Sequence, residues 1–211
     1  DFLKKLAASR VRNMGSIDSL RAVRIGFDSS TDFDALELEA EDVEFNYPVL
    51  IPELREVEPQ EGVVGFGNGA LDFLGIRKDN SEWGRDVKIA VIDTGIEPHL
   101  ALSDNIQHIN LIELDEGGSP NSHGTSVASL IAGQHPNMRG VAPQAELISV
   151  RVADETGVSS SFLLAQGITA AADAGAQLIN ISMGSSSDST LVRQAVDYAI
   201  EQGAVIFASS G

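Results

Sequence analysis

The sequence predicts an α/β protein: a parallel sheet with helices on both faces, preceded by a small α+β module. Three observations carry this. From residue 87 onward, strand-length apolar runs alternate with helix-length segments, with strands over 87–92, 145–152, 178–182 and 204–208 and helices over 123–133, 160–174 and 189–202. Those strands are near-continuously apolar (AVID, LISVRV, LINIS, AVIFAS), as strands are when both sheet faces are covered. Strand–helix alternation of this kind implies right-handed crossovers between parallel strands. Upstream, the pattern is shorter and far more acidic.

Taken in order, residues 1–14 read as a short amphipathic helix with Phe2, Leu3, Leu6 and Val11 on one side. Residues 19–27 alternate well enough for a half-buried strand. Residues 32–40 form an acidic helix signal with Phe33, Leu36 and Leu38 as apolar members, and residues 42–49 read as a strand cut by Pro48. Between residues 28 and 61 the only base is Arg55, which marks a solvated acidic face and linker. Pro48, Pro52 and Pro59 exclude regular helix or central strand there. The domain boundary is therefore placed between about residues 50 and 64, giving a module over 1–58 and a second domain over 59–211. The glycine-rich run at 62–69 follows no strand and completes no GxGxxG, so it does not read as a phosphate cradle. In the second domain Gly133, Gly175 and Gly203 follow three of the helices as stop signals.

Composition narrows the function. The 211 residues are 43% hydrophobic, enough for a sizeable core, and carry a net charge of −17 from 31 acids against 14 bases. That balance excludes nucleic acid and anionic membrane as partners, and serves solubility. With no cysteine there is no disulfide, thiolate metal site or thiol nucleophile. No apolar run reaches the length of a membrane span, and the first six residues lack the apolar core and cleavage site of a signal peptide.

Chemistry concentrates in three segments that a parallel sheet would bring to one rim. Asp93-Thr94-Gly95 ends an apolar strand, Asn121-Ser122-His123-Gly124-Thr125 opens an apolar helix, and Asn180-Ile181-Ser182-Met183-Gly184 runs off a strand into a polar loop. Each alone has a bland reading: a turn and helix cap, a packing histidine, a strand end. Together they suggest an acid that orients a general base, with Asp93 accepting from His123 Nδ1 and Nε2 left to take a proton.

These motifs resemble those of the subtilisin-like serine proteases, the subtilases of the S8 type. Val91-Ile92-Asp93-Thr94-Gly95-Ile96 is similar to the family's Asp motif, and Asn121 to Thr125, with Val127, Ala128 and Gly133, to its His motif. Gly140-Val141-Ala142-Pro143 resembles the segment before the next core strand. Asn180 to Gly184 resembles the strand that pairs with substrate backbone, and Val158-Ser159-Ser160 the opposing edge of the cleft. The likeness covers about residues 62–211, with the motifs in family order. Residues 19–49 are more weakly similar to the C-terminal part of the family's propeptide.

The resemblance implies a secreted serine endopeptidase acting through an acyl-enzyme, with Asp93 and His123 as catalytic residues. The substrate would lie extended between Val158, Ser159 and Ser160 on one side and Ser182, Met183 and Gly184 on the other. The family's nucleophile and oxyanion asparagine have no match up to Gly211 and are expected from a downstream part or a complementary C-terminal chain. A propeptide end within residues 45–61 would occupy the cleft, as in an unprocessed zymogen. Gly124-Thr125-Ser126-Val127-Ala128 imitates a nucleophile motif, but Ser126 sits three residues after His123 on the same helix and reads as a surface or packing serine. Calcium is the one ion the resemblance brings in. Around Glu97 and around residues 134–139 too few oxygen ligands remain for a metal site, and Asp104, Asp115 and Glu116 read as solvated loop acids. Two other classes compete. A non-catalytic scaffold that binds peptides would keep the cleft without the chemistry. An aspartic protease would need two such carboxylates on an all-β frame, and this chain has one, inside a βα alternation.

Overall fold

Apolar runs too short for a helix and rich in β-branched residues form strands here, and the longer alanine-rich segments between them form helices that cover both faces. The computed structural model describes residues 2–52, 69–112 and 121–209. The strands are β1 (Arg12–Ile17), β2 (Ala22–Gly26), β3 (Pro48–Leu50), β4 (Lys88–Asp93), β5 (Gln107–Asn110), β6 (Gln134–His135), β7 (Met138–Arg139), β8 (Glu146–Arg151), β9 (Val158–Ser160), β10 (Leu178–Ile181) and β11 (Val205–Ala208). The helices are α1 (Phe2–Ala8), α2 (Ser30–Asp34), α3 (Gly69–Phe73), α4 (His123–Ala132), α5 (Ser161–Asp173) and α6 (Thr190–Glu201).

The body is a five-stranded, all-parallel sheet in the order β11-β10-β4-β8-β5. Central β4 pairs Ile89 with Leu147 and Asp93 with Arg151 on β8, and Ile89 with Leu178 on β10. Alternation along each strand sorts the core. Ile89, Val91 and Leu147 pack with Ala128 and Ala132 of α4 on one face, while Ala90, Ile92, Ile148 and Val150 pack with Ala165 and Ile168 of α5 on the other. Each fully buried aliphatic chain contributes about 1.5–3 kcal/mol relative to exposure. The predicted helices and strands of this region appear within a residue or two of their expected ends. β5 was not foreseen: Gln107-His108-Ile109-Asn110 is a short, polar edge strand without the apolar run that marks its neighbours.

Gly175 and Gly203 end α5 and α6 with φ near 80° and 92°, the left-handed stop expected of them. Gly133 does something else. Its φ is −58°, and a Cβ there would lie 2.3 Å from the Met138 carbonyl, so glycine is required by close approach of the β6–β7 hairpin.

The N-terminal region departs most from expectation. Residues 1–14 are not one helix: α1 stops at Ala8, Ser9 turns the chain by accepting from Val11 N (3.2 Å) and donating to Leu6 O (2.8 Å), and β1 then pairs antiparallel with β2. Leu6 and Val11 share a core, as expected, but from opposite sides of the Ser9 turn, with Leu36 as the third buried member. The strand expected over 19–27 is shortened to β2 by a 3-10 turn at Asp18–Leu20. The helix expected over 32–40 is the shorter α2, whose N-cap Ser29 accepts from Asp32 N. Of the strand expected over 42–49, only residues from Pro48 onward pair. Ala40–Asp42 is a 3-10 turn, and β3 joins β9, far along the chain. The linker, the glycine-rich run at 62–68, and loop acids Asp115 and Glu116 lie outside the described residues, as does the side chain of Leu3.

Candidate functional site

The carboxyl ends of β4 and β8 meet the start of α4, and there the two leading residues face each other. His123 Nδ1 lies 2.9 Å from both carboxylate oxygens of Asp93, whose side chain is fully buried. An ionised carboxylate can only accept, so Nδ1 carries the proton and Nε2 is left as the acceptor. The His123 side chain remains 20% exposed, open enough for a partner to reach it.

The surrounding backbone holds this geometry. Asp93 Oδ1 also accepts from Thr94 N at 2.8 Å. Thr94 Oγ donates to Asn121 O (3.1 Å) and accepts from Gly124 N (3.1 Å), tying the strand end to the first turn of α4. Glu97 N donates to Thr125 Oγ1 at 2.9 Å, a second tie between the same two segments. Asn121 Oδ1 accepts from His123 N (2.9 Å), in the role of a helix cap one residue early. Gly124 is fitted into this contact: a Cβ would fall 2.3 Å from Gly95 O and 3.2 Å from Asp93 Cβ.

Arg151 supports the turn from below. It is the register partner of Asp93 on β8, so the two side chains leave the sheet on one face. Its guanidinium packs so closely on Gly95 that a Cβ there would come within 2.7 Å of Cζ, and Nη2 donates to Glu97 Oε1 at 2.5 Å. Nη1 is buried without a hydrogen-bond partner among the described residues. Glu97 is engaged by Arg151, and among the described residues no group of three or more His, Asp or Glu side chains could hold a metal ion.

The two expected cleft edges are brought together by a segment of the chain itself. β3 runs antiparallel to β9, with Pro48 opposite Ser160, Val49 opposite Ser159 and Leu50 opposite Val158. On its other side Leu50 and Gly184 exchange both backbone hydrogen bonds at 2.9 Å. Val49 is buried, at 1% exposure. Ser160 also caps α5, and Ser159 Oγ donates to Val152 O at 2.7 Å, anchoring the edge to the core. Of the other edge, only Gly184 bridges to β3 among the described residues. Ser182 Oγ accepts from Asn180, and the Met183 side chain is buried in the sheet–helix core.

Residues just before β3 reach two further helix starts. Asn46 Oδ1 accepts from Phe162 N (3.0 Å) at α5, and Glu44 Oε2 from Leu191 N (3.1 Å) at α6. Each satisfies an orphan N–H, and the Glu44 charge suits the positive end of the helix. Ser126 is exposed and donates to Ser122 O (3.0 Å), a helix-surface serine as expected. The sequence did not single out the working contacts of Thr94, Asn121 or Arg151. Thr94 and Asn121 lay inside motifs already marked. A basic residue closing an otherwise apolar strand was the available signal for Arg151.

The assembly is a buried acid beside a helix-borne histidine at the carboxyl edge of a parallel sheet. The chain belongs to the subtilase family, peptidase S8, whose pattern matches residues 84–211. It is 36% identical over 187 residues to an alkaline protease of Alkalihalobacillus alcalophilus, covering 87% of this chain and 47% of that protein. It is also 36% identical over 130 residues to the minor extracellular protease Epr of Bacillus subtilis, covering 61% of this chain and 20% of that one. Among solved structures, the MycP3 protease from the type VII (ESX-3) secretion system aligns with a TM-score of 0.57 at 32% identity, over 79% of this chain and 50% of that one. The chain spans about half or less of the length of these relatives.

Proposed function

We propose that this chain carries the acid and base of a subtilisin-type serine endopeptidase. Asp93 orients His123 and stabilises its imidazolium; His123 Nε2 accepts the proton of a serine hydroxyl as that oxygen attacks a peptide carbonyl, then returns it to the leaving amine. The nucleophilic serine and a side-chain oxyanion donor come from a part of the protein beyond Gly211 or from a complementary chain. The observation that carries this reading is the Asp93–His123 contact at 2.9 Å. Peptide or protein substrates bind extended between Val158–Ser160 and the Ser182–Gly184 edge, adding a strand by backbone pairing.

The N-terminal module, residues 1–58, is read as a propeptide and the remainder, 59–211, as part of the catalytic domain. The bonds from β3 to β9 and Gly184, and the two helix caps by Glu44 and Asn46, support a zymogen in which the propeptide end fills the substrate cleft. The extracellular Epr supports a secreted protein.

The test uses the full-length protein. Labelling by a serine-directed fluorophosphonate with cleavage of an extended peptide is expected, and Asp93→Asn should lower kcat/KM by roughly 10⁴-fold, because the amide enforces the wrong imidazole tautomer. No labelling together with peptide binding would establish a peptide-binding scaffold instead. A native mass that starts between residues 50 and 64 would remove the zymogen reading.

A further inference from the structure

The edge that pairs with peptide and the helix that carries His123 are joined through one side chain. Asn121 Nδ2 donates to Glu155 O (3.2 Å) while its Oδ1 accepts from His123 N (2.9 Å), and its own carbonyl accepts from Thr94 Oγ (3.1 Å). Glu155 lies in a tight turn leading into β9. Asp154 Oδ1 accepts from Thr156 N (2.9 Å), Thr156 Oγ (2.7 Å) and Val158 N (2.9 Å), and Asp154 N and Gly157 N close the turn at 3.0 Å each. Gly157 holds φ near 80°, the left-handed conformation that favours glycine. Its carbonyl accepts from Ile51 N (3.0 Å), the bond that continues the β3 pairing toward Pro52.

The turn is therefore bonded to the segment that continues β3 on one side and to Asn121 on the other. A planar amide is the side chain that serves both contacts, with one donor and one acceptor at fixed separation. A carboxylate would keep the bond from His123 N but lose the donor to Glu155 O and set two oxygens against each other. We propose that Asn121 is a positioning residue that couples peptide pairing at the 154–158 turn to the placement of His123. The role rests on the endopeptidase reading. Peptide that draws on the Gly157 carbonyl fixes the turn, the turn fixes the Asn121 amide, and the amide fixes the first N–H of the helix bearing the base. Substrates too short to reach Gly157 gain nothing from this route.

The experiment compares two substrates of the full-length protein, a hexapeptide amide extended on the acyl side and a single-residue acylated chromogenic amide, at a pH above the acid limb of the activity profile. Asn121→Asp is expected to lower kcat/KM for the hexapeptide about tenfold and to leave the short substrate unchanged. Asn121→Ala, which removes both bonds, is expected to add a fall of about tenfold in kcat on both substrates. An unchanged hexapeptide kcat/KM in Asn121→Asp, or an equal fall for both substrates, overturns the coupling. Should the alanine variant fold poorly, the aspartate variant alone decides. A wild-type protein that cleaves neither substrate removes the endopeptidase reading, and the coupling with it.

Discussion

The sheet body and the N-terminal module meet at the same cleft but are held together by different means. The body is built around strands whose central residues, Ala90, Val91, Ile92 and Val150, have no exposure at all, and the Asp93–His123 contact is set between two of its packed elements. The module has a core of three buried side chains, Leu6, Val11 and Leu36, beneath a two-stranded sheet. It is held to the body by other bonds: β3 pairing, the caps from Glu44 and Asn46, and Ile17 and Phe162 packed in the main core. Arg24 adds its guanidinium 5.1 Å from the Phe162 ring centre. A region with so little core of its own depends on the surface it docks on. The sheet body is thus held by its own packing, while the N-terminal region is held by the bonds it makes to that body.

That contrast can be broken from either side. The largest effect after Asp93→Asn is expected at Gly124. Gly124→Ala sets a methyl against Gly95 O and forces α4 away from the acid, so kcat/KM should fall by about 10²-fold or more, the scale of a misplacement near 1 Å. If activity survives, the site tolerates far more movement than its packing suggests.

Leu36→Ala attacks the other region. Truncating this buried residue (1% exposed) should cost about 2–5 kcal/mol, enough to unfold the module by itself. Hydrogen exchange is expected to show protection lost in β1 and β2 with protection in β4 and β8 retained. Loss of both together would mean that the two regions fold as one unit.

Acid should act more gently, through the cleft edge. Burial pushes the Asp154 carboxyl up, but bonds from the Thr156 hydroxyl and from the Val158, Thr156 and Gly157 N–H groups outweigh it and hold it below the ordinary value of 3.8. A group lowered by folding stabilises the native state above its unfolded value and loses that stabilisation as pH falls through its folded value. Peptide affinity and the order of the turn should therefore hold down to about pH 4 and weaken below it, and Asp154→Asn should flatten that dependence. At the small end stands the exposed Lys5–Glu37 pair, 2.8 Å long. Lys5→Ala should leave the melting midpoint unchanged, since solvent screens such a pair. A clear shift would show that the module relies on surface charge.

By itself the sequence determined the βα order, the strand that ends at Asp93 and the helix that opens at His123. Each is a local matter, because apolar period, strand length and chain punctuation are written in neighbouring residues. Ser126 could be dismissed on the same local ground, its spacing from His123 along one helix. Tertiary structure alone decided the rest. The strand expected over 42–49 forms only from Pro48 onward, where β9 and Gly184 offer unpaired backbone on both sides. Gln107 to Asn110 join the sheet only at its edge, where no second face needs apolar side chains. Arg151 sits in an apolar strand for a reason visible only when Gly95 and Glu97 are folded over it. Contacts between residues distant in the chain have no period to read, and it is such contacts that turn an acid, a histidine and an asparagine into one site.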